Sequence, residues 1–193
     1  MAMRPVVVSN EELHRYSRQL EAIRTAASAL TAGLSDAQFR WRPAPGRWSI
    51  AECIEHLNAV GDDFLRYIDA LIAEARSLGP VRPAPSRRRR LPWLFIRWVI
   101  EPPPRFRVKS RAIYRPAPEP APMADVLARF RALQERLSAR LRAAEGLDLG
   151  AVAARQPVAP VTLDLGQWFL LTLAHERRHL WQARQVRDEP RFP

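Results

Sequence analysis

Apolar residues recur every three or four positions along four long segments of the chain, the spacing of one buried face of an α-helix. The segments run from about residue 10 to 32, from 49 to 78, from 122 to 146 and from 162 to 186. The second has an unbroken apolar stripe at Ile50, Cys53, Ile54, Leu57, Val60, Phe64, Leu65, Ile68, Leu71 and Ile72. No stretch alternates apolar and polar residues as a half-buried strand does. The pattern therefore predicts an all-α fold, a four-helix bundle.

Residues that cap helices stand at the predicted helix starts. Ser9 or Asn10 precedes two glutamates at the start of the first helix, where the helix dipole favours acidic side chains. The second helix opens on Ser49-Ile50-Ala51-Glu52, a capping box in which the serine and glutamate side chains bind each other's backbone N–H. Thr162 or Asp164 is the expected cap of the fourth helix. These signals place the helix starts more closely than periodicity does.

The character of the sequence changes between residues 79 and 122. More than half of the chain's 18 prolines fall in this segment, with four consecutive arginines at 87–90 and the aromatic run 92–98. Because so long a loop without structure is unusual in a compact domain, we expect a short helix from Leu91 to Ile100, ended by three prolines. We interpret the segment as a long insertion between the second and third helices of a single domain that spans residues 1–193.

Composition indicates a folded protein of the cytoplasm. With 47% apolar residues the chain has too many for a disordered one, and only 7 glycines favours helices. The single cysteine, Cys53, has no partner for an internal disulfide, as is usual in a reducing compartment. We find no signal peptide and no apolar run of the length that spans a bilayer, so we expect a soluble protein.

The charge is strongly positive, with 31 basic and 20 acidic residues and a net charge of +11. Such a balance is compatible with an anionic substrate, nucleic acid or an anionic membrane. Outside residues 82–115, however, the arginines are scattered along the helices. We therefore favour charged helix faces in contact with solvent over one large anion-binding surface.

Two of the chain's 4 histidines, His175 and His179, lie four residues apart in the fourth predicted helix. Side chains at this spacing project from one helix face, where two imidazoles can bind one metal ion. His56 lies one to two turns into the second helix, at the edge of its buried face. If these two helices are antiparallel, His56 lies at a similar height and supplies a third imidazole. Three protein ligands with an open position are typical of catalytic zinc sites.

Read literally, residues 175–179 also form the His-Glu-x-x-His motif of zinc proteases. A protease of that type takes its third ligand well downstream, and no histidine follows His179. Among the late acidic residues, Glu189 beside Pro190 is the one that could be tried. The protease interpretation is therefore disfavoured.

The segments WSIAECIEHL (residues 48–57) and HERRHLWQ (175–182) together resemble the DinB-like superfamily, within which the chain looks closest to uncharacterised proteins considered metal-dependent hydrolases. The resemblance covers nearly the whole chain and includes the Pro102-Pro103 region. It implies an up-down-down-up four-helix bundle in which His56, His175 and His179 hold a divalent metal ion, zinc or nickel. Characterised relatives include thiol S-transferases and a thiol-dependent isomerase. The resemblance thus predicts the site better than the reaction.

Other residues near these motifs have candidate roles. Glu176 and Glu52 could accept hydrogen bonds from the histidines and so orient them, although the capping box already accounts for Glu52. Gln182 and Trp48 are expected to line the pocket. Cys53 is interpreted as a small buried apolar residue rather than a soft metal ligand.

Two hypotheses follow from the sequence. The first is a metal-dependent hydrolase or thiol S-transferase, in which water or a thiol at the open position reacts with a small molecule that is anionic or is itself a low-molecular-weight thiol. The second is a non-enzymatic binding or regulatory module that uses the Arg87–Arg90 and Trp93–Trp98 segment to contact nucleic acid or a membrane. Between partners, a small molecule is favoured over nucleic acid, and a homodimer is left open.

Overall fold

The computed structural model describes residues 11–79, 82–87, 90–103, 112–117, 121–157 and 161–193. Its helices are α1 (Glu11–Thr31), α2 (Asp36–Arg40), α3 (Ile50–Ser77), α4 (Arg90–Phe95), α5 (Met123–Ala143) and α6 (Leu165–Arg187). A π-helical turn (Ile96–Ile100) continues α4, and a 3-10 turn (Ala112–Tyr114) precedes α5. Two short strands, β1 (Ala153–Arg155) and β2 (Thr162–Asp164), complete the fold. The long helices α1, α3, α5 and α6 are the four that the apolar periodicity predicts.

Local capping sets where the two helices that carry the histidines begin. Ser49 Oγ accepts a hydrogen bond from the Glu52 N–H, and a Glu52 carboxylate oxygen accepts one from the Ser49 N–H. Asp164 and Gln167 form the equivalent pair at the start of α6, so Asp164 rather than Thr162 is the cap. The capping predicted at Ser9 or Asn10 lies outside the described residues.

Contacts between the helices define their directions. Along α3, residues 56, 64 and 67 contact residues 179, 175 and 168 of α6 in turn, so these helices are antiparallel. α1 and α6 are parallel, because Tyr16 contacts Phe169 whereas Arg187 reaches the carbonyls at the end of α1. α3 and α5 are also parallel, since residues 55, 62 and 69 pair with residues 129, 136 and 140. The bundle therefore has the up-down-down-up order that the resemblance implies.

The core lies between these four helices and contains the predicted stripe of α3. Ile50, Ile54 and Ile68 are fully buried, as are Trp168 and Phe169 of α6. α3 and α5 approach closely at Gly61, where an added Cβ would lie 2.4 Å from a methyl group of Leu133.

Two small elements were not predicted. The five-residue helix α2 begins with a capping box formed by Ser35 and Gln38, between the first and second predicted helices, where no helix was predicted. The fold is mostly helical as predicted, and the two short strands β1 and β2, which no alternation in the sequence indicated, pair antiparallel just before α6. Both elements are too short for a period to show in the sequence, since each strand has three residues.

The connection from α3 to α5 is attached to the bundle at several places, and two of them hold the helical segment 90–100 from its two ends. At the first, Ser86 donates its N–H to Glu12 and its hydroxyl to Asp164, at 2.7 Å in each case. At the second, the π-helical turn packs against α6 through the buried side chain of Ile96. The short helix expected at Leu91–Ile100 is confirmed, whereas Arg88, Arg89, Arg105, Arg107 and Arg111 lie outside the described residues. None of the described helices is both long enough and apolar enough to cross a bilayer.

Candidate metal centre

Three histidines from two helices meet in the interior, where α3 begins and α6 approaches its end. The ring centroids of His56 and His179 are 4.5 Å apart, those of His175 and His179 are 4.6 Å apart, and those of His56 and His175 are 5.2 Å apart. Each ring offers a nitrogen that lies within 4.8 Å of a nitrogen on both of the others. The cluster joins the two separate sequence motifs at one place.

The orientation of His56 follows from a backbone hydrogen bond. Its Nδ1 lies 2.8 Å from the carbonyl oxygen of Tyr114, in the 3-10 turn before α5. Because a carbonyl only accepts, Nδ1 carries the proton and Nε2 keeps its lone pair. Metal-binding histidines commonly have their second nitrogen fixed in this way. The Tyr114 hydroxyl donates to Asp63 of α3, which holds the turn that supplies this carbonyl.

Burial keeps the three imidazoles neutral. It lowers the pKa of His56, with the Tyr114 hydrogen bond acting in the opposite direction. Burial lowers the pKa of His175 and His179 well below the ordinary value. His56 and Arg178 lower both pKa values further, and His175 also lowers that of His179. Near neutral pH each ring therefore presents a lone pair rather than a positive charge, which is the form that binds metals.

Aromatic rings enclose the cluster. Trp48, just before α3, lies 5.0 Å from the His56 ring and stacks on His179 at 5.8 Å, both measured between ring centroids. Phe64 lies further along α3, and its ring centroid is 5.6 Å from that of His175. Gln182 is close enough to His179 to favour its protonated form slightly, against the larger effect of burial. That Trp48 and Gln182 line a pocket remains a prediction; both lie beside the histidine cluster.

Glu176 lies beside the histidines in sequence but points to another part of the core. Its carboxylate accepts a hydrogen bond of 2.8 Å from Gln134 Nε2 of α5, and burial raises its pKa to about 7. Its second oxygen and Gln134 Oε1 are both buried without a hydrogen-bond partner. A proton on Glu176 would convert one of these two acceptors into a donor. The described contacts of Glu176 are thus with α5 rather than with the histidines.

Two further residues near His56 have structural contacts. Glu52 closes the capping box and binds Arg42 through two hydrogen bonds of 2.8 and 2.9 Å, and these bonds outweigh burial and lower its pKa. Cys53 is fully buried, and burial raises the pKa of its thiol. Neither belongs to the cluster of potential ligands found among the described residues. For Cys53 this agrees with its interpretation as a buried apolar residue.

The donor set fits a divalent ion. Three nitrogens bound to one zinc ion at about 2.1 Å lie roughly 3.4 Å apart in a tetrahedral site, so modest side-chain movements would suffice here. His179 Nδ1 is buried and has no hydrogen-bond partner. A buried nitrogen left in this state is unfavourable, and coordination to a metal is one way to satisfy the ring. Three imidazoles without a carboxylate or thiolate suit zinc, nickel or a similar ion.

Fold and cluster together define a helix bundle with a three-histidine site between two antiparallel helices. A family model described as the DinB superfamily matches residues 19–183. The chain therefore belongs to the DinB superfamily. A comparison with curated proteins gave no match.

A solved structure shares the fold. It is YfiT from Bacillus subtilis, described as a probable metal-dependent hydrolase with an unusual four-helix bundle topology. The two chains are 15% identical and superpose with a TM-score of 0.58, and the similarity covers 97% of this chain and 92% of the other. At this identity the likeness concerns the fold.

One contact at the site was not predicted from the sequence. The Tyr114 carbonyl that orients His56 belongs to the backbone of a residue 58 positions away. Every residue, proline included, offers the same backbone carbonyl acceptor, so no side-chain pattern marks this one. Only the packing of the 3-10 turn against α3 could have shown it.

Proposed function

We propose that His56, His175 and His179 bind one divalent metal ion, zinc or nickel, and that the protein is a metal-dependent enzyme acting on a small molecule. The observation that carries the proposal is the convergence of three neutral imidazoles within 4.8 Å of one another. Membership of the DinB superfamily and the description of YfiT as metal-dependent support it.

The reaction class that fits best is hydrolysis or thiol transfer. A divalent ion held by three histidines supplies a Lewis acid with positions open to water, a thiol or a substrate oxygen. The chain provides the surroundings for such chemistry. Trp48 and Phe64 restrict water at two sides of the cluster, and the Tyr114 carbonyl keeps His56 in one tautomer. Gln182 offers an amide within reach of His179 to orient a bound molecule.

No carboxylate stands ready as a general base at the cluster among the described residues. Glu52 is bound by Arg42 and Ser49, and Glu176 by Gln134. The reacting nucleophile would therefore depend on the metal for its activation, or the substrate would supply its own thiolate. This feature favours a reaction with an acidic nucleophile such as a thiol over one that needs a strong protein base.

Metal analysis tests the proposal first. Protein purified without a histidine tag should contain close to one equivalent of a divalent metal, or take it up on dialysis, and His179→Ala should lose it. His14→Ala is the matched control, because it removes the remaining histidine, which is exposed on α1. Metal content below about 0.2 equivalents that is unchanged in His179→Ala would contradict the proposal.

An activity screen separates the two reaction classes. Metal-loaded protein should be assayed with low-molecular-weight thiols against small electrophiles, and in parallel with ester and amide substrates in the absence of thiol. Thiol-dependent turnover that disappears in His175→Ala would identify a transferase, whereas turnover without thiol would identify a hydrolase. No turnover by the metal-loaded protein in either assay would favour a non-enzymatic module.

A further inference from the structure

The helical segment 90–100 exposes an unusual set of apolar side chains. Leu91 is 74% exposed, Trp93 and Trp98 are each 44% exposed, and Leu94 is 42% exposed. Arg97 lies among them and is also exposed. We call these five residues the outer face. Large exposed apolar groups are ordinary when scattered singly, whereas a contiguous set on one short element marks an interaction surface.

The opposite side of the same segment is fixed to the bundle. Pro92 and Ile96, four residues apart, are buried. The Val99 carbonyl accepts a hydrogen bond from Arg178 of α6, and Glu101 pairs with Arg177. Because the segment is attached through one side, its outer face is presented in a fixed direction. A loose apolar loop would instead fold back and bury these side chains.

The charge around the outer face has one sign. No aspartate or glutamate occurs from residue 75 to 100, whereas arginines stand at 76, 82, 87–90 and 97. Glu101, the first acidic residue after this stretch, is engaged by Arg177. A stretch of chain with this positive charge attracts an anionic partner.

We propose that the outer face binds the surface of a membrane that contains anionic phospholipids. Tryptophan and arginine are the side chains that suit the boundary between headgroups and acyl chains. Leu91 and Leu94 decide between lipid and nucleic acid. An aliphatic side chain has no ring on which a base could stack. Its transfer into the acyl region of a membrane buries apolar surface and so stabilises binding. The protein would thus lie on the membrane surface, and none of its described helices could span the bilayer.

Vesicle co-sedimentation tests this proposal on the full chain. Vesicles of phosphatidylcholine and phosphatidylglycerol at roughly 3:1 should bind the protein at low salt, and vesicles of phosphatidylcholine alone should bind it at least about tenfold more weakly. Added salt should weaken the binding. The double variant Leu91→Ser/Leu94→Ser should bind at least about tenfold more weakly than the natural chain. Acyl-brominated lipids should quench tryptophan fluorescence, and less so in Trp93→Phe/Trp98→Phe.

Matched variants separate the outer face from general effects. Leu78→Ser removes an apolar side chain that is 53% exposed at the end of α3 and should leave binding unchanged. Arg97→Gln should weaken binding to anionic vesicles, and Arg131→Gln, exposed on α5, is its control and should leave binding unchanged. Circular dichroism and metal content should be unaltered in all of them, so a failure here leaves the metal centre untouched.

Three results would overturn the proposal. The first is the absence of binding to anionic vesicles at low salt. The second is binding that the two leucine substitutions leave unchanged, since a purely electrostatic association with any arginine-rich surface would behave in this way. The third is binding to single-stranded DNA that competes with the vesicles and is likewise insensitive to the leucines, which would assign the surface to nucleic acid.

Discussion

Residues 175–179 contribute side chains to two sides of α6 that differ sharply in their surroundings. His175 and His179 turn inward to an enclosed cluster of neutral rings. Arg177 and Arg178 turn to the π-helical turn and hold the segment that carries the exposed outer face. Glu176 takes a third direction, toward Gln134 of α5. One pentapeptide thus links a buried candidate site for chemistry to a surface candidate site for binding, and the two should respond independently to mutation.

The largest expected effect is the loss of metal when a histidine of the cluster is removed. His175→Ala should lower the affinity for zinc or nickel at least about a hundredfold, because two imidazoles remain where three converged. Binding to anionic vesicles should be unchanged, since His175 faces away from the outer face. Isothermal titration with the metal-free protein, beside vesicle co-sedimentation, measures both. A parallel loss of the two activities would show that the faces are not independent.

The next effect concerns pH and distinguishes Glu176 from the histidines. The pKa of Glu176 is raised to about 7 from an ordinary value of 4.5. The unfolded chain therefore ionises first, and between these values the folded protein holds the proton that the unfolded chain has lost. Stability from this group falls as pH rises through the window and levels off above about pH 7. The full difference is at most about 3 kcal/mol.

Urea unfolding of the metal-free protein measures this effect. Glu176→Gln has no titrating group at this position. Between about pH 5 and pH 8 the free energy of unfolding of the natural chain should therefore fall relative to that of Glu176→Gln. The buried histidines titrate in both proteins, and their contribution cancels in the difference. Parallel pH profiles would indicate that Glu176 is ionised in the folded state.

A smaller effect is expected at Ser86, where the connection that carries the outer face contacts the start of α6. In Gly166→Ala the new methyl group would lie 2.5 Å from Ser86 Cβ and 3.3 Å from its Cα, and neither atom can rotate away. We expect a loss of about 1–3 kcal/mol in the free energy of unfolding. Gly146→Ala is not a suitable control because of its positive φ of 81°. Ala128→Ser, exposed on α5, serves instead. An unchanged midpoint in urea would mean that residues 84–87 move without cost.

The smallest effect should come from the ion pair between α6 and Glu101, which directly follows the helical segment 90–100. Arg177 and Glu101 are each about a quarter exposed, with side-chain values of 27% and 21%. Arg177→Gln should therefore cost only about 0.5–1 kcal/mol. Vesicle binding should weaken slightly, and metal affinity should not change. A large loss of metal affinity would reveal coupling between the two faces.

The main helices could be predicted because each carries its signal locally. The apolar stripe of α3 and the Ser49–Glu52 capping box lie within single stretches of chain, and both are found in the structure. The direction of the helices has no such signal. The sequence placed His56 beside His175 only on the condition that α3 and α6 are antiparallel, and the resemblance to the DinB-like superfamily supplied the order of the bundle.

What could not be predicted depends on contacts between distant residues. The partner of Glu176 is Gln134, on a helix 42 positions away, and the partner of Ser86 is Asp164. Each pair unites two common polar residues, and many other pairings would have looked equally plausible. The solvent exposure of Leu91 and Leu94 could not be predicted either, because apolar residues in a short helix are usually buried.

Because Cys53 is buried, the rate at which a thiol reagent labels it reports how often the helix bundle opens. The side chain is fully buried next to the candidate site, and it is the chain's only thiol. An enzyme that handles electrophiles would be spared alkylation at this position while it stays folded. A thiol reagent in solution can react only when α3 separates from its neighbours, so the rate of labelling measures how often the bundle opens. Because metal binding stabilises the folded state, the same rate should slow on addition of the metal.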